Sequence, residues 1–288
     1  MTILDILRGL RPIHRNKKWL SSSASISHKI LYYPAVTASY IRFMTGQRRI
    51  KYLGHRFDYD NIATPLNIMP YPDDICSDLL GRMLIRPRRI LDIGGNLGQF
   101  SVTLSYFLKK PNIDIFEPNP AVYSLLKNNI GRVNKNAKVY NYALSPDGNR
   151  GKKINFYYEP GRSATGSFIR NNASNDRSKL SKIEVQAINS PSKLTGIKEY
   201  DLIKIDVEGF EIDVVKSLKG IRTKYLFIEV SSANRNRRYN DSELLLEIRK
   251  IFGDYIIEYM TGYKGTELIY EVLLKFIKNK SQDKKSGD

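Results

Sequence analysis

Asp92-Ile-Gly94-Gly95-Asn96-Leu-Gly98 is the stretch that decides the fold of this chain. An apolar run, RILDI at 89–93, precedes it. An amphipathic run, 98–108, follows, with Phe100, Leu104, Phe107 and Leu108 on one side. The pattern reads as a buried strand, a glycine turn and a helix. Glycines let the backbone approach a ligand closely, and the helix start offers free N–H groups to an anion or carboxylate. The bland alternative is a turn that merely packs a helix on a strand.

The same alternation continues on both sides of that turn. NIDIF at 112–116 is a second strand, 121–130 a helix, and KVYNYA at 138–143 a third strand. LIKIDV at 202–207 is a fourth, followed by a helix over about 208–218. YLFIEV at 225–230 is a fifth. The run 241–252 is a capped helix ending at Gly253, and 255–260 and 267–276 flank a Gly262–Gly265 turn as a closing hairpin. Strand–helix alternation predicts an α/β fold with a doubly wound, mostly parallel seven-stranded Rossmann-like sheet and a terminal antiparallel hairpin. A stretch at about 144–200 interrupts it, with strands expected at 154–158 and 183–188 and a loop between Gly161 and Gly166. Loops beyond the strand ends of such sheets usually select the substrate. Tyr157, Tyr158 and Arg162 there are candidates to stack on or bind a sugar ring, though packing or solvent exposure accounts for each as well.

A second signal sits 25 positions after Asp92. Glu117 ends the second strand, where a carboxylate accepts hydrogen bonds from a ribose diol. Together the two signals indicate an adenosine ligand. The spacing D-x-G-G-x-x-G differs from the G-x-G-x-x-G of dinucleotide sites. An acid two residues before the first glycine would repel a pyrophosphate and attract an ammonium. That favours S-adenosylmethionine over a nicotinamide dinucleotide.

Composition narrows the chemistry. The chain has 288 residues, 41% of them hydrophobic, enough for one large domain with an appendage. Its one cysteine, Cys76, excludes an internal disulfide framework and a cysteine-cluster zinc site. The three histidines, His14, His28 and His55, all lie in the first fifth of the chain, which makes a central Ser-His-Asp triad hard to build. The net charge is +18, and residues 1–57 carry +10 of it, with eleven Lys and Arg against Asp5. Ile3, Ile6, Leu7 and Leu10 fall at helical spacing beside this charge. The expectation is a helical basic N-terminal extension over 1–70, a main domain over 71–276 and a flexible basic tail over 277–288. A basic amphipathic helix suits an anionic membrane surface, nucleic acid phosphates or a lid packed on the domain. The longest uncharged run near the start, 30–41, has 12 residues and contains Pro34, short of the roughly 20 a membrane span needs. With no secretory pattern in the opening residues, the expected location is cytoplasmic, with peripheral membrane contact through 1–57.

Four segments together resemble the FkbM-type branch of class I methyltransferases: Asp92-Ile-Gly-Gly-Asn-Leu-Gly-Gln-Phe-Ser, Phe116-Glu117-Pro118-Asn119-Pro120, Asn141-Tyr-Ala143-Leu-Ser and Lys204-Ile-Asp206-Val-Glu208-Gly209-Phe-Glu211. The last is the most specific, being long and not a generic cofactor motif. The resemblance covers about residues 88–230. It implies methyl transfer from S-adenosylmethionine, most often to a hydroxyl oxygen. Mapped here, Gly94, Gly95, Asn96 and Gly98 would line the methionine end, and Asp92 would help position it. Glu117 would hold the ribose with Asn119 nearby, and residues from Asn141 to Ala143 would edge the adenine. Asp206, Glu208 and Glu211 would be the catalytic carboxylates, since removal of the acceptor proton and in-line positioning are what the displacement needs. Each also has a structural reading, as an acid at a helix N-terminus. Glu229 is a further rim carboxylate on the same terms. No metal-ligand set is identifiable, because a divalent ion on Asp206 lacks a second ligand. The expected acceptor is a sugar, glycan, lipid-linked saccharide or secondary metabolite. The alternatives are an RNA methyltransferase that uses the basic segment and a non-catalytic adenosine-ligand-binding protein. Against the RNA reading, no N-P-P-[YF] tetrapeptide follows the fourth strand.

Overall fold

The computed structural model describes residues 41–60, 74–148, 151–160, 162–173, 177–231, 240–261 and 269–277. The amphipathic helix expected near residues 3–10 and the tail at 278–288 lie outside the described residues. The chain forms two compact units, Met1–Asp74 and Ile75–Asp288.

In the first unit, strands β1 (Arg49–Tyr52) and β2 (His55–Asp58) form an antiparallel hairpin. This corrects the helical expectation over those residues. Ile50 and Tyr52 alternate with Arg49 and Lys51, a strand period, and bury one face. Leu53 and Gly54 both take positive φ at the turn, which a helix does not allow.

The second unit opens with α1 (Asp74–Arg82) and then builds the sheet in order: β3 (Arg89–Ile93), α2 (Gln99–Phe107), β4 (Asn112–Phe116), α3 (Pro120–Val133) and β5 (Lys138–Tyr140). The insertion follows: β6 (Ala143–Leu144), β7 (Lys153–Glu159), β8 (Arg162–Ser167), α4 (Arg170–Ala173), β9 (Ser181–Ile188) and α5 (Ser192–Thr195). The chain then returns through β10 (Glu199–Ile205), α6 (Glu211–Ser217), β11 (Arg222–Ser231), α7 (Asp241–Phe252), β12 (Tyr255–Thr261) and β13 (Ile269–Phe276).

Seven strands form the main sheet in the order β12-β13-β11-β10-β3-β4-β5. β10 is parallel to β11 and β3, as are β3 to β4 and β4 to β5, while β13 runs antiparallel to both β11 and β12. The central strands are buried runs (Ile90, Leu91, Ile113, Ile115, Leu202, Ile203, Leu226, Ile228), as parallel strands covered on both faces must be. Each such side chain contributes on the order of 2 kcal/mol. α3 starts where Asn119 accepts from the Ala121 N–H with Pro120 in the first turn, and α7 starts with a reciprocal Asn240–Glu243 capping box. The strand order reverses direction between β3 and β10, which places a topological switch point at their C-terminal ends.

Three expectations need correction. The strand expected over 138–143 divides into β5 and β6, which lie in different sheets. The Asn141 amide between them bonds to the Glu117 and Pro118 carbonyls and draws the chain out of the main sheet. The stretch expected as a loop between Gly161 and Gly166 contains β8, which pairs with β7 through a bulge. The helix expected from about residue 208 begins at Glu211, because Glu208 (φ 51) and Gly209 (φ 99) are left-handed. The insertion closes as a second sheet, β6-β9-β7-β8, around Ala143, Phe156, Val185 and Ala187.

Candidate functional site

The glycine turn and the end of β10 meet at the switch point. The Gly94 and Gly95 N–H groups both donate to the Phe116 carbonyl, at 3.0 Å each, and the Asp206 N–H donates to the Ile93 carbonyl at 3.1 Å. Gly94 has φ 79, and a Cβ there would stand 1.8 Å from the Asp206 carbonyl oxygen. Only glycine fits. At Gly95 and Gly98 a Cβ would strike Ile115 and Leu126 instead. Those two glycines bring α2 and α3 onto the strands.

A cavity of about 150 Å³ opens here. Gly94, Asn96, Glu117 and Pro118 line it together with Asp206, Val207, Glu208 and Glu229. Phe156, Gly166 and Phe168 of the insertion complete the wall. Of the residues expected at the site, Gly94, Asn96, Glu117, Asp206 and Glu208 thus share one space. Glu117 is buried and accepts from the Asn96 and Asn119 N–H groups, at 2.9 Å each. Burial outweighs those two hydrogen bonds and the Lys204 charge, and pushes its carboxyl up to about 7. The buried Asn96 Oδ1 has no hydrogen-bond partner among the described residues. Glu229 is pushed up to about 9, by burial first and then by the charges of Asp206, Glu208, Glu211 and Glu271.

The other expected residues act on the walls. Asn119 caps α3, and Asn141 ties down the Glu117–Pro118 backbone. Ala143 packs in the core of the insertion. Glu211 is buried and accepts from the Gly209 N–H at 2.8 Å, beneath the cavity loop. Tyr157 and Tyr158 are half-buried in β7 away from the cavity lining, and the Arg162 side chain lies outside the described residues.

Asp92 differs most from its expected role. Its side chain is 0% exposed and lies under the glycine turn. It accepts from the Ser101 hydroxyl at 2.5 Å and pairs with the Lys204 ammonium at 3.4 Å. It is not among the residues that line the cavity, and the ammonium beside it is that of Lys204. Lys204 was absent from the expected site residues. It is the register partner of Asp92 across β3 and β10, and it also reaches Asp206 at 3.2 Å and the Gly94 carbonyl at 2.9 Å. The two carboxylates hold its ammonium above the usual lysine range against the opposing effect of burial. Both residues carried a legible signal: each is a charge flanked by apolar neighbours, Leu91 and Ile93 or Ile203 and Ile205, and a buried charge needs a partner.

Among the described residues, no group of three or more His, Cys, Asp or Glu side chains is arranged to hold a metal ion. No helix among them is long and apolar enough to cross a membrane.

A β3-first sheet with a returning antiparallel strand, a glycine turn after its first strand and an acid after its second defines a Rossmann-like methyltransferase. The family model described as the methyltransferase FkbM domain matches residues 92–260. The chain belongs to this family of S-adenosylmethionine-dependent methyltransferases. Among solved structures, it is similar to methyltransferase FkbM from Methylobacillus flagellatus KT at 15% identity and TM-score 0.45, over 84% of this chain and 59% of that one. The chain thus spans less than two thirds of that protein. The N-terminal domain of EvdMO1, crystallised in the presence of SAH and D-fucose, is similar at 8% identity and TM-score 0.42, over 70% of this chain and 81% of that one. A precorrin-6y C5,15-methyltransferase from Geobacter metallireducens GS-15 is similar at 10% identity and TM-score 0.41, over 70% and 89%. No curated protein sequence matches the chain.

Proposed function

We propose that the protein methylates a hydroxyl oxygen on a sugar-bearing acceptor: a sugar, a glycan, a lipid-linked saccharide or a glycosylated secondary metabolite. When bound, S-adenosylmethionine supplies an electrophilic methyl group. The residues at the cavity fit that cofactor. Gly94 borders the space, the Glu117 carboxylate suits a ribose diol, and the unpartnered Asn96 Oδ1 is an acceptor in want of a donor. Gly95, Gly98, Asn119 and Asn141 shape this space without lining it.

The observation that carries the reading is the group of carboxylates that lines the same cavity. Asp206, Glu208 and Glu229 border the same space as Gly94 and Glu117. An acceptor hydroxyl placed there has an oxygen at hand for its proton. Glu229, pushed up to about 9, holds its own proton at neutral pH and is a hydrogen-bond donor, not a base. The base is therefore Asp206 or Glu208. Glu211 supports the loop just after them, at Gly209.

The test has two stages. Calorimetric titration with S-adenosylmethionine and its demethylated product should show saturable binding, and no binding of either ends the reading. Mass spectrometry of glycans and lipids from cells with and without the gene should then show a product heavier by one methyl group. Label appearing in RNA would overturn the acceptor assignment.

A further inference from the structure

Ser167 lies at the end of β8, at the insertion's edge of the cavity, and its side chain is fully buried. Its hydroxyl donates to the Glu208 carbonyl at 2.8 Å and accepts from the Ile169 N–H at 3.1 Å. The one donor of this buried hydroxyl and one of its two acceptor sites are thereby used. Glu208, the residue it holds, is left-handed at φ 51, a strained conformation for a side-chain-bearing residue that persists only where its surroundings impose it. Two further ties hold the same loop. The Glu211 carboxylate accepts from the Gly209 N–H at 2.8 Å, and the Phe210 ring lies 4.8 Å from that of Phe168. Ser167 and Phe168 are adjacent, so one short segment of the insertion grips the loop by its backbone and by a ring, and Phe168 also borders the cavity.

We infer that Ser167 is a positioning residue: its hydrogen bond to the Glu208 carbonyl locks the left-handed backbone that aims the Glu208 carboxylate at the acceptor. The inference rests on the methyltransferase reading for what that carboxylate does, not for the clamp itself. The insertion then completes the catalytic wall as well as covering it. Such a bond outside the reacting groups can matter because a small misplacement of a catalytic side chain slows a reaction steeply.

The experiment compares wild type with Ser167→Ala in three measurements. Amide hydrogen exchange at Gly209 and Phe210 reads the stability of the clamped loop, without cofactor or acceptor. Calorimetry with the demethylated cofactor reads the glycine turn and Glu117, and steady-state kinetics read transfer. The expected result is faster exchange at those two amides, cofactor affinity within about twofold of wild type, and a kcat lowered roughly tenfold with KM for the cofactor unchanged. Unchanged exchange overturns the inference, and so does cofactor affinity falling in step with kcat. Should the alanine variant not fold, Ser167→Cys keeps the volume, weakens the donor and repeats the three measurements. A wild type that neither binds the cofactor nor transfers methyl defeats the methyltransferase reading, while the exchange measurement still decides the clamp.

Discussion

Replacing Lys204 with methionine removes one buried ammonium and keeps most of its volume. Three groups lose their partner: Asp92 at 3.4 Å, Asp206 at 3.2 Å and the Gly94 carbonyl at 2.9 Å. They do not suffer equally. The Asp206 side chain is 39% exposed, and water takes over its solvation. The Asp92 side chain is 0% exposed and retains only the Ser101 hydroxyl, so it becomes an uncompensated buried charge. Breaking a buried pair in this way costs about 3–5 kcal/mol, out of a total stability of about 5–15 kcal/mol. With a urea slope of about 2–3 kcal/mol/M, the unfolding midpoint followed by circular dichroism should fall by about 1–2 M. The double variant Asp92→Asn/Lys204→Met removes both charges and should regain at least about half of the loss, since the buried carboxylate is then gone. A single-variant shift below about 0.3 M, or a double variant no more stable than the single, would refute the assignment of Lys204 as the counterion beneath the turn.

Gly94→Ala forces a Cβ onto the Asp206 carbonyl oxygen at a positive φ; calorimetry should find cofactor binding abolished, and thermal melting should find the domain destabilised. Glu117 has its carboxyl raised to about 7, and a ribose diol prefers the ionised form, so cofactor affinity should rise as pH increases through about 7; Glu117→Gln should bind weakly with no such rise. Glu229 is raised to about 9 in the folded chain, above its ordinary value in the unfolded one. The folded state therefore binds more protons between those two values, and wild type should lose stability relative to Glu229→Gln as pH climbs from about 5 toward 9, measured by urea unfolding at each pH.

The central sheet was legible because RILDI, NIDIF, LIKIDV and YLFIEV are apolar runs separated by amphipathic stretches, and burial on both faces writes that pattern into the residues themselves. The final hairpin was legible too, but not that its return strand β13 wedges between β11 and β12, which is a matter of pairing and not of composition. β8 was missed since RSATGS looks like a loop; its glycine is there because the Phe156 ring would stand 2.5 Å from a Cβ. At the site, Glu117 and the glycine turn could be read from their place at strand ends. Asp92 was misread because residues 92 and 204 are distant in the chain and adjacent only in register. An acid beside a glycine turn has the same appearance whether it faces a ligand or a lysine beneath it.

The short parallel pairing of β6 with β9 sets Ala143 beside Ala187 and Leu144 beside Ile188. The chain therefore leaves for the insertion and comes back within one strand spacing, roughly 5 Å. Everything between is a closed cassette whose length the main sheet does not dictate, because the entropy of closing a loop grows only slowly with its size. A longer, shorter or differently folded cassette would fit on the same glycine turn and the same buried lysine. Exchanging that module would replace the Phe156, Gly166 and Phe168 lining of the cavity while leaving the main sheet intact, provided the new module keeps the β6–β9 seam and a grip on the Glu208–Phe210 loop.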